Sequence, residues 1–323
     1  MRRFRLILTL TALCLSAAVL ASCGGGSSEK SPREILESVT LEGVESADFD
    51  ASLEVKSKGR QGGDLNISVS GRGLGEGIEA TAKVAGTAEG KPVDFEGGLT
   101  LLSDHGFVNY QGTEYKIDPS NYEFAKSLFV PALSPEGREA GFDLNACPRA
   151  ASGIRPGKLI DNLREEGTAD VEGAKTTKLS GEVEVATVVE EMIKVAEDRD
   201  CLFQIEFISP YKVAKLSQLG DELASAGGNA QVEIYVGDDG IVRRLSVEFT
   251  ADPKGSRKPV AVDLELTLSE VNGDQKIEIP SGAKGIGALF VKLGIEPLEF
   301  IGWRSGGEGI RSLAEKVAAD AFP

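Results

Sequence analysis

Cys23 is the residue whose neighbours point most directly to chemistry. It ends the run Leu20-Ala21-Ser22-Cys23 and leads into Gly24-Gly25-Gly26-Ser27-Ser28. Upstream, Arg2, Arg3 and Arg5 precede an apolar stretch from Leu6 to Leu20. A charged start, a short apolar stretch and small residues before a cysteine form a bacterial lipobox. The chemistry is thioether formation: once the chain is cut before Cys23, its thiol receives a diacylglycerol group whose fatty acids, palmitate among them, enter the membrane. The apolar stretch falls short of the ~20 residues of a comfortable membrane span. Residues 1–22 therefore read as a lipoprotein signal peptide and 23–31 as a flexible tether. An ordinary secretory signal that contains a cysteine, or a short membrane anchor, is the alternative.

The other chemistry-bearing residues are few. Cys14 leaves with the signal and Cys23 is acylated, so Cys147 and Cys201 remain. In an oxidising compartment they are expected to form one disulfide, with ~4 kcal/mol of stabilisation on the chain-entropy model. Two buried free thiols are the other option. No metal site is expected, because the single histidine, His105, has no Cys-x-x-Cys partner motif. His105 lies between Asp104 and Gly106 and reads as a turn residue. No G-x-S-x-G, G-x-x-x-x-G-K-[ST] or H-E-x-x-H occurs. Gly282, Gly285 and Gly287 lack the lysine a phosphate loop needs, and Glu165-Glu166, Glu190-Glu191 and Asp238-Asp239 read as solvated surface or turns. Asn66-Ile67-Ser68 fits a glycosylation pattern that a bacterial lipobox makes irrelevant. The expectation is a protein without catalytic residues and without a cofactor.

Charge narrows the partners further. The formal net charge is -16, and loss of the three arginines within residues 1–22 takes it to -19. So acidic a surface repels phosphate backbones, which argues against nucleic acid. It also gives no attraction to anionic lipid heads. Attachment to the cell membrane, on its extracytoplasmic side, falls to the acyl chains at Cys23.

The elements that follow alternate between two periods. Ser31-Pro32 starts a short helix through Ile35, Leu36 and Val39, with Val44 as a further apolar position. Period-two alternation predicts strands at 47–56 and around Leu65, Ile67 and Val69, then at 78–86, 91–102, 105–111 and 113–118. Glycines at 73–77, 86–90 and 97–98 read as turns between them. Helices are predicted over 121–130 and from Pro156, the latter with Leu159, Ile160 and Leu163 on one side. Strands at 167–171 and 176–183 follow, joined at Glu172-Gly173. Amphipathic helices are predicted over 185–196 and 210–226, the second ending at Gly227-Gly228. Three strands then carry Val232, Ile234 and Val236, next Leu245, Val247, Phe249 and Ala251, and last Val260 to Leu268, with a hairpin at Asp238-Asp239-Gly240.

This order of elements resembles the LolA/LolB-like lipoprotein carriers, and among them the LppX/LprG-type lipoproteins of actinobacteria. The resemblance spans residues 32–282. Besides the lipobox it rests on Glu165-Glu166-Gly167-Thr168-Ala169-Asp170-Val171-Glu172-Gly173 leading into Thr176-Thr177-Lys178-Leu179-Ser180-Gly181, and on Val232 to Leu245 with its Gly237-Asp238-Asp239-Gly240 turn. It implies an α+β domain: a curved antiparallel half-barrel whose concave apolar face is covered by helices and holds acyl chains of lipids or lipoproteins. An envelope transporter is the partner that such a carrier implies. Residues 283–323 exceed that pattern. They hold an apolar stretch at 283–293, an isolated Trp303 and an amphipathic helix through Ile310, Leu313, Val317 and Ala321. This extension is expected either to pack as a peripheral helix or to cover the cavity mouth.

The most consistent one-sided alternation nominates the cavity wall: Phe49, Leu53, Val55, Val232, Ile234, Leu245, Val247, Phe249, Val262, Leu264 and Leu266. Phe95, Phe107, Phe203 and Phe207 are further aromatic candidates. Aliphatic walls suit acyl chains and solid cores equally. Two functions therefore stay open. One is a membrane-anchored lipoprotein that carries or chaperones lipids across the envelope. The other is a lipid-anchored interaction or sensor protein with a filled core.

Overall fold

A computed structural model describes residues 30–40, 43–57, 63–74, 77–88, 90–119, 122, 156–197, 228–251 and 259–294. Cys23, Cys147 and Cys201 lie outside the described residues, as do Phe203, Phe207, Trp303, the predicted helices at 210–226 and 310–321, and most of the one at 121–130.

Alternating sequence becomes strand almost throughout. The strands are β1 (Ser46–Ser57), β2 (Asp64–Leu74), β3 (Gly77–Ala88), β4 (Lys91–Leu101), β5 (Gly106–Tyr110), β6 (Thr113–Lys116), β7 (Ile160–Val171), β8 (Ala174–Glu184), β9 (Asn229–Gly237), β10 (Val242–Ala251), β11 (Val260–Ser269) and the two-residue β12 (Lys284–Gly285). They form one open sheet in the order β12-β6-β5-β4-β3-β2-β1-β11-β10-β9-β8-β7. Every pairing is antiparallel except the short parallel contact of β12 with β6. Strands β1 to β6 and β7 to β11 are thus two runs of sequential neighbours, joined where β1 pairs with β11. The hairpins at Gln111-Gly112 and Glu172-Gly173 are two-residue turns with positive φ at both positions (50° and 72°, 49° and 81°). That backbone twist matches the twist of the flanking strands.

Among the described residues, the helices α1 (Pro32–Glu37), α2 (Pro156–Leu159), α3 (Val185–Glu197) and α4 (Ile286–Lys292) accompany the sheet. Ser31 and Glu34 close a reciprocal capping box at the start of α1. Leu36 of α1 and Val185 and Val188 of α3 pack on β7 to β9 with Ile160, Leu179, Val232 and Ile234. At the other end α4 buries Ile286, Leu289 and Phe290 against Tyr110 and Tyr115. Residues 284–292, the start of the C-terminal extension, therefore join the sheet and pack on it. Among the described residues no helix is long and apolar enough to cross a membrane.

Two expectations are corrected. Gly97-Gly98 is no turn but the middle of β4, paired with Ala82 and Thr81. Ile160 and Leu163 belong to β7, and the helix from Pro156 stops at Leu159. The cause is a bulge: the β7–β8 register slips between Asp161 and Arg164, where Asn162 adopts φ 53°. An inserted residue breaks the period of two and spaces apolar side chains as a helix would. The strand predicted from 167 accordingly begins at 160.

Candidate functional site

Register decides which side chains share a face, because alternate residues of a strand point to opposite sides. Leu53 pairs with Leu264 and Val55 with Val262 across β1 and β11. Leu245 pairs with Leu266, Val247 with Leu264 and Phe249 with Val262 across β11 and β10. Ile234 and Val232 continue the rows from Leu245 and Val247 onto β9. Phe49, opposite Leu268, falls on the same side. All eleven nominated wall residues thus lie on one face of the sheet. Phe107 does not: it pairs with Thr100 and Lys116, in the register of the other face, and sets its ring edge-on to His105. Alternation along β5 gives the apolar face to Gly106, Val108 and Tyr110 instead. His105 lies in the turn between β4 and β5, where its carbonyl accepts from the Leu102 N–H and Asp104 contacts its Nδ1.

The described residues cover the apolar face unevenly. Leu53, Val55, Val232 and Ile234 are buried, packed within two separate clusters. Between these clusters, on β10 and β11, Leu245, Val247, Phe249, Val262, Leu264, Leu266 and Leu268 are all only half-buried. These seven apolar side chains form a contiguous half-buried strip at the centre of the sheet.

Sequence reasoning missed the residues that give this face its depth. One register row runs from Leu266 through Ala51, Val69, Ala82 and Gly97 to Tyr110. Its neighbour contains Gly71 and Ala80. Ala51, Ala82 and Gly97 in one row and Gly71 and Ala80 in the next lower the floor beside the taller row that holds Leu53, Ile67 and Val84, and Phe49 and Leu99 stand at the two ends of the second low row. A cavity of about 280 Å³ lies over this floor, bounded by Val69, Ala80, Ala82, Leu99, Tyr110 and Leu289 of α4. The Phe95 ring, also in the lining, lies on Gly97, where an added Cβ would stand 2.7 Å from its Cζ. The available signal was the alternation of Ala80, Ala82 and Gly97 with Glu79, Thr81, Lys83 and Glu96. Small residues score weakly as apolar, and the paired glycines resembled a turn.

Across β8 and β9 the opposite face is ion-paired. Lys178 Nζ lies 2.7 Å from Glu233 Oε1, and the Tyr235 hydroxyl donates to Glu233 Oε2 at 2.9 Å. The lysine holds the Glu233 carboxyl below the usual carboxylate range, and the carboxylate in turn raises the lysine. Burial pushes the Tyr235 phenol up. Lys178 and Arg244 both stand over the Tyr235 ring, at 5.5 and 5.7 Å from its centroid. Such pairs support a solvated outer surface. Among the described residues no group of three or more His, Cys, Asp or Glu is placed to hold a metal ion.

No family model and no curated protein matches the chain. Among solved structures it is similar to LprF from Mycobacterium bovis, with 14% identity, 75% of this chain and 90% of that one covered, and a TM-score of 0.31. It is also similar to the lipoprotein LppX from Mycobacterium tuberculosis, at 13% identity over 73% of this chain and 91% of that one, with a TM-score of 0.28. A LolA superfamily protein from Nitrosomonas europaea follows at 7% identity, 74% and 89% coverage and a TM-score of 0.18.

Proposed function

We propose that this chain is a membrane-anchored lipoprotein that binds lipid acyl chains on the apolar face of its sheet and carries or chaperones them across the cell envelope. The single observation that supports the reading is the half-buried apolar strip on β10 and β11, on the same face of the sheet as the small-residue floor. A solid core would bury those seven side chains. Half-open, they offer a long aliphatic surface without hydrogen-bonding demands, which suits acyl chains. In this reading the sheet is curved, the apolar face is concave, and helices cover it. Cys23 supplies the anchor on the extracytoplasmic side, and an envelope transporter is the partner that delivers or removes the lipid. Cys147 and Cys201 form a disulfide in that oxidising compartment.

Native mass spectrometry of the protein extracted from its own membrane tests this. A co-purifying lipid, or an acylated peptide, is the expected result and names the source of the chain. Protein that emerges empty and displaces no fluorescent acyl probe would leave an anchored interaction protein as the better account.

A further inference from the structure

We propose that Phe95 is the end-stop of the acyl site, setting how long a chain the small-residue floor accepts. The inference rests on the lipid-binding reading above and adds to it the length of the ligand. A chain lying across the strands along the row Leu266, Ala51, Val69, Ala82 would travel about 14 Å over three strand spacings before reaching Gly97. There the floor is already occupied. The Phe95 ring lies on Gly97, with Cζ and Cε1 at 2.7 and 3.2 Å from where a Cβ would be, so only glycine leaves room for it. The ring packs against both the Leu53 cluster and the Tyr110 cluster and so stands at the border between them. It is nevertheless half-buried and lines the cavity. The Tyr110 ring, 6.0 Å away centroid to centroid, and Leu289 of α4 line the same cavity. Removal of the Phe95 ring would deepen that cavity over Gly97.

A length series tests this on the purified full chain. Saturated fatty acids from about eight to about eighteen carbons compete against a fluorescent acyl probe. Affinity is expected to rise about fourfold per methylene while each new methylene is buried, then to stop rising at one length. Phe95→Ala is expected to move that break to longer chains and to strengthen binding of the longest acids about tenfold or more. Phe95→Leu, which keeps an apolar side chain, moves it less and serves if the alanine variant fails to fold. Phe107→Leu, on the other face, leaves the break in place. The same series with lysophosphatidylcholines distinguishes a free acid from a phospholipid as the source of the chain. A wild-type series without a break, or one whose break is identical in both Phe95 variants, overturns the end-stop while leaving lipid binding intact. Failure of every chain to bind overturns the lipid reading, and the end-stop with it.

Discussion

Lys178 and Glu233 give the molecule a measurable pH signature. The carboxyl of Glu233 titrates below its ordinary range when folded, held there by the Lys178 ammonium. Its contribution to stability is therefore complete above the ordinary carboxylate pKa and disappears as pH falls through the depressed folded value. Lys178 titrates above its ordinary range, so its contribution is complete below the ordinary lysine pKa and is lost as pH rises through the raised value. Wild type is accordingly expected to melt higher than Glu233→Gln by a constant margin around neutral pH. That margin should close on both the acid and the alkaline side, and thermal melts across pH check it. A margin independent of pH would assign the effect of the substitution to packing. Both side chains are partly exposed, at 28% and 40%, so the margin is a small one that salt reduces further.

β7 is an outer strand of the sheet that the described residues form. Its bulge, the left-handed Asn162 and the run Arg164-Glu165-Glu166 all work against pairing with a second chain. Asn tolerates φ 53° and a β-branched residue does not. Asn162→Val is expected to destabilise by roughly 1–2 kcal/mol in a denaturant titration, and Asn162→Gly to be tolerated. The same bulge explains why this stretch was illegible from sequence, where Leu159, Ile160 and Leu163 mimicked helical spacing. By contrast β1, β9, β10 and β11 were legible almost to the residue, because each keeps strict alternation against a polar opposite face. The shared face of the eleven nominated residues followed from that alternation. The floor at Val69, Ala80, Ala82 and Gly97 did not, since it consists of side chains defined by being small, and a row across strands exists only once register is known.

For the whole molecule, attachment and cross-linking make the sharpest expectations. Cys23→Ala is expected to move the protein from membrane to soluble fraction, read by fractionation after a high-salt wash. Retention in the membrane would place the anchor elsewhere. Intact mass with and without reduction, after alkylation, is expected to show Cys147 and Cys201 joined. Two labelled thiols in freshly isolated protein would exclude the bridge. The central seam has a consequence in time. Leu53 meets Leu264, about 200 residues further along, whereas the strands on either side of the seam pair with their immediate successors. The seam, like the short contact of β12 with β6, is thus a slow encounter of high contact order. In any chain made from its N-terminus, β1 appears early and waits with one edge unpaired and Leu53 and Val55 on its apolar side until β11 arrives. That interval is when the molecule is most exposed to aggregation, and a delay at the seam would lengthen it without changing the final stability.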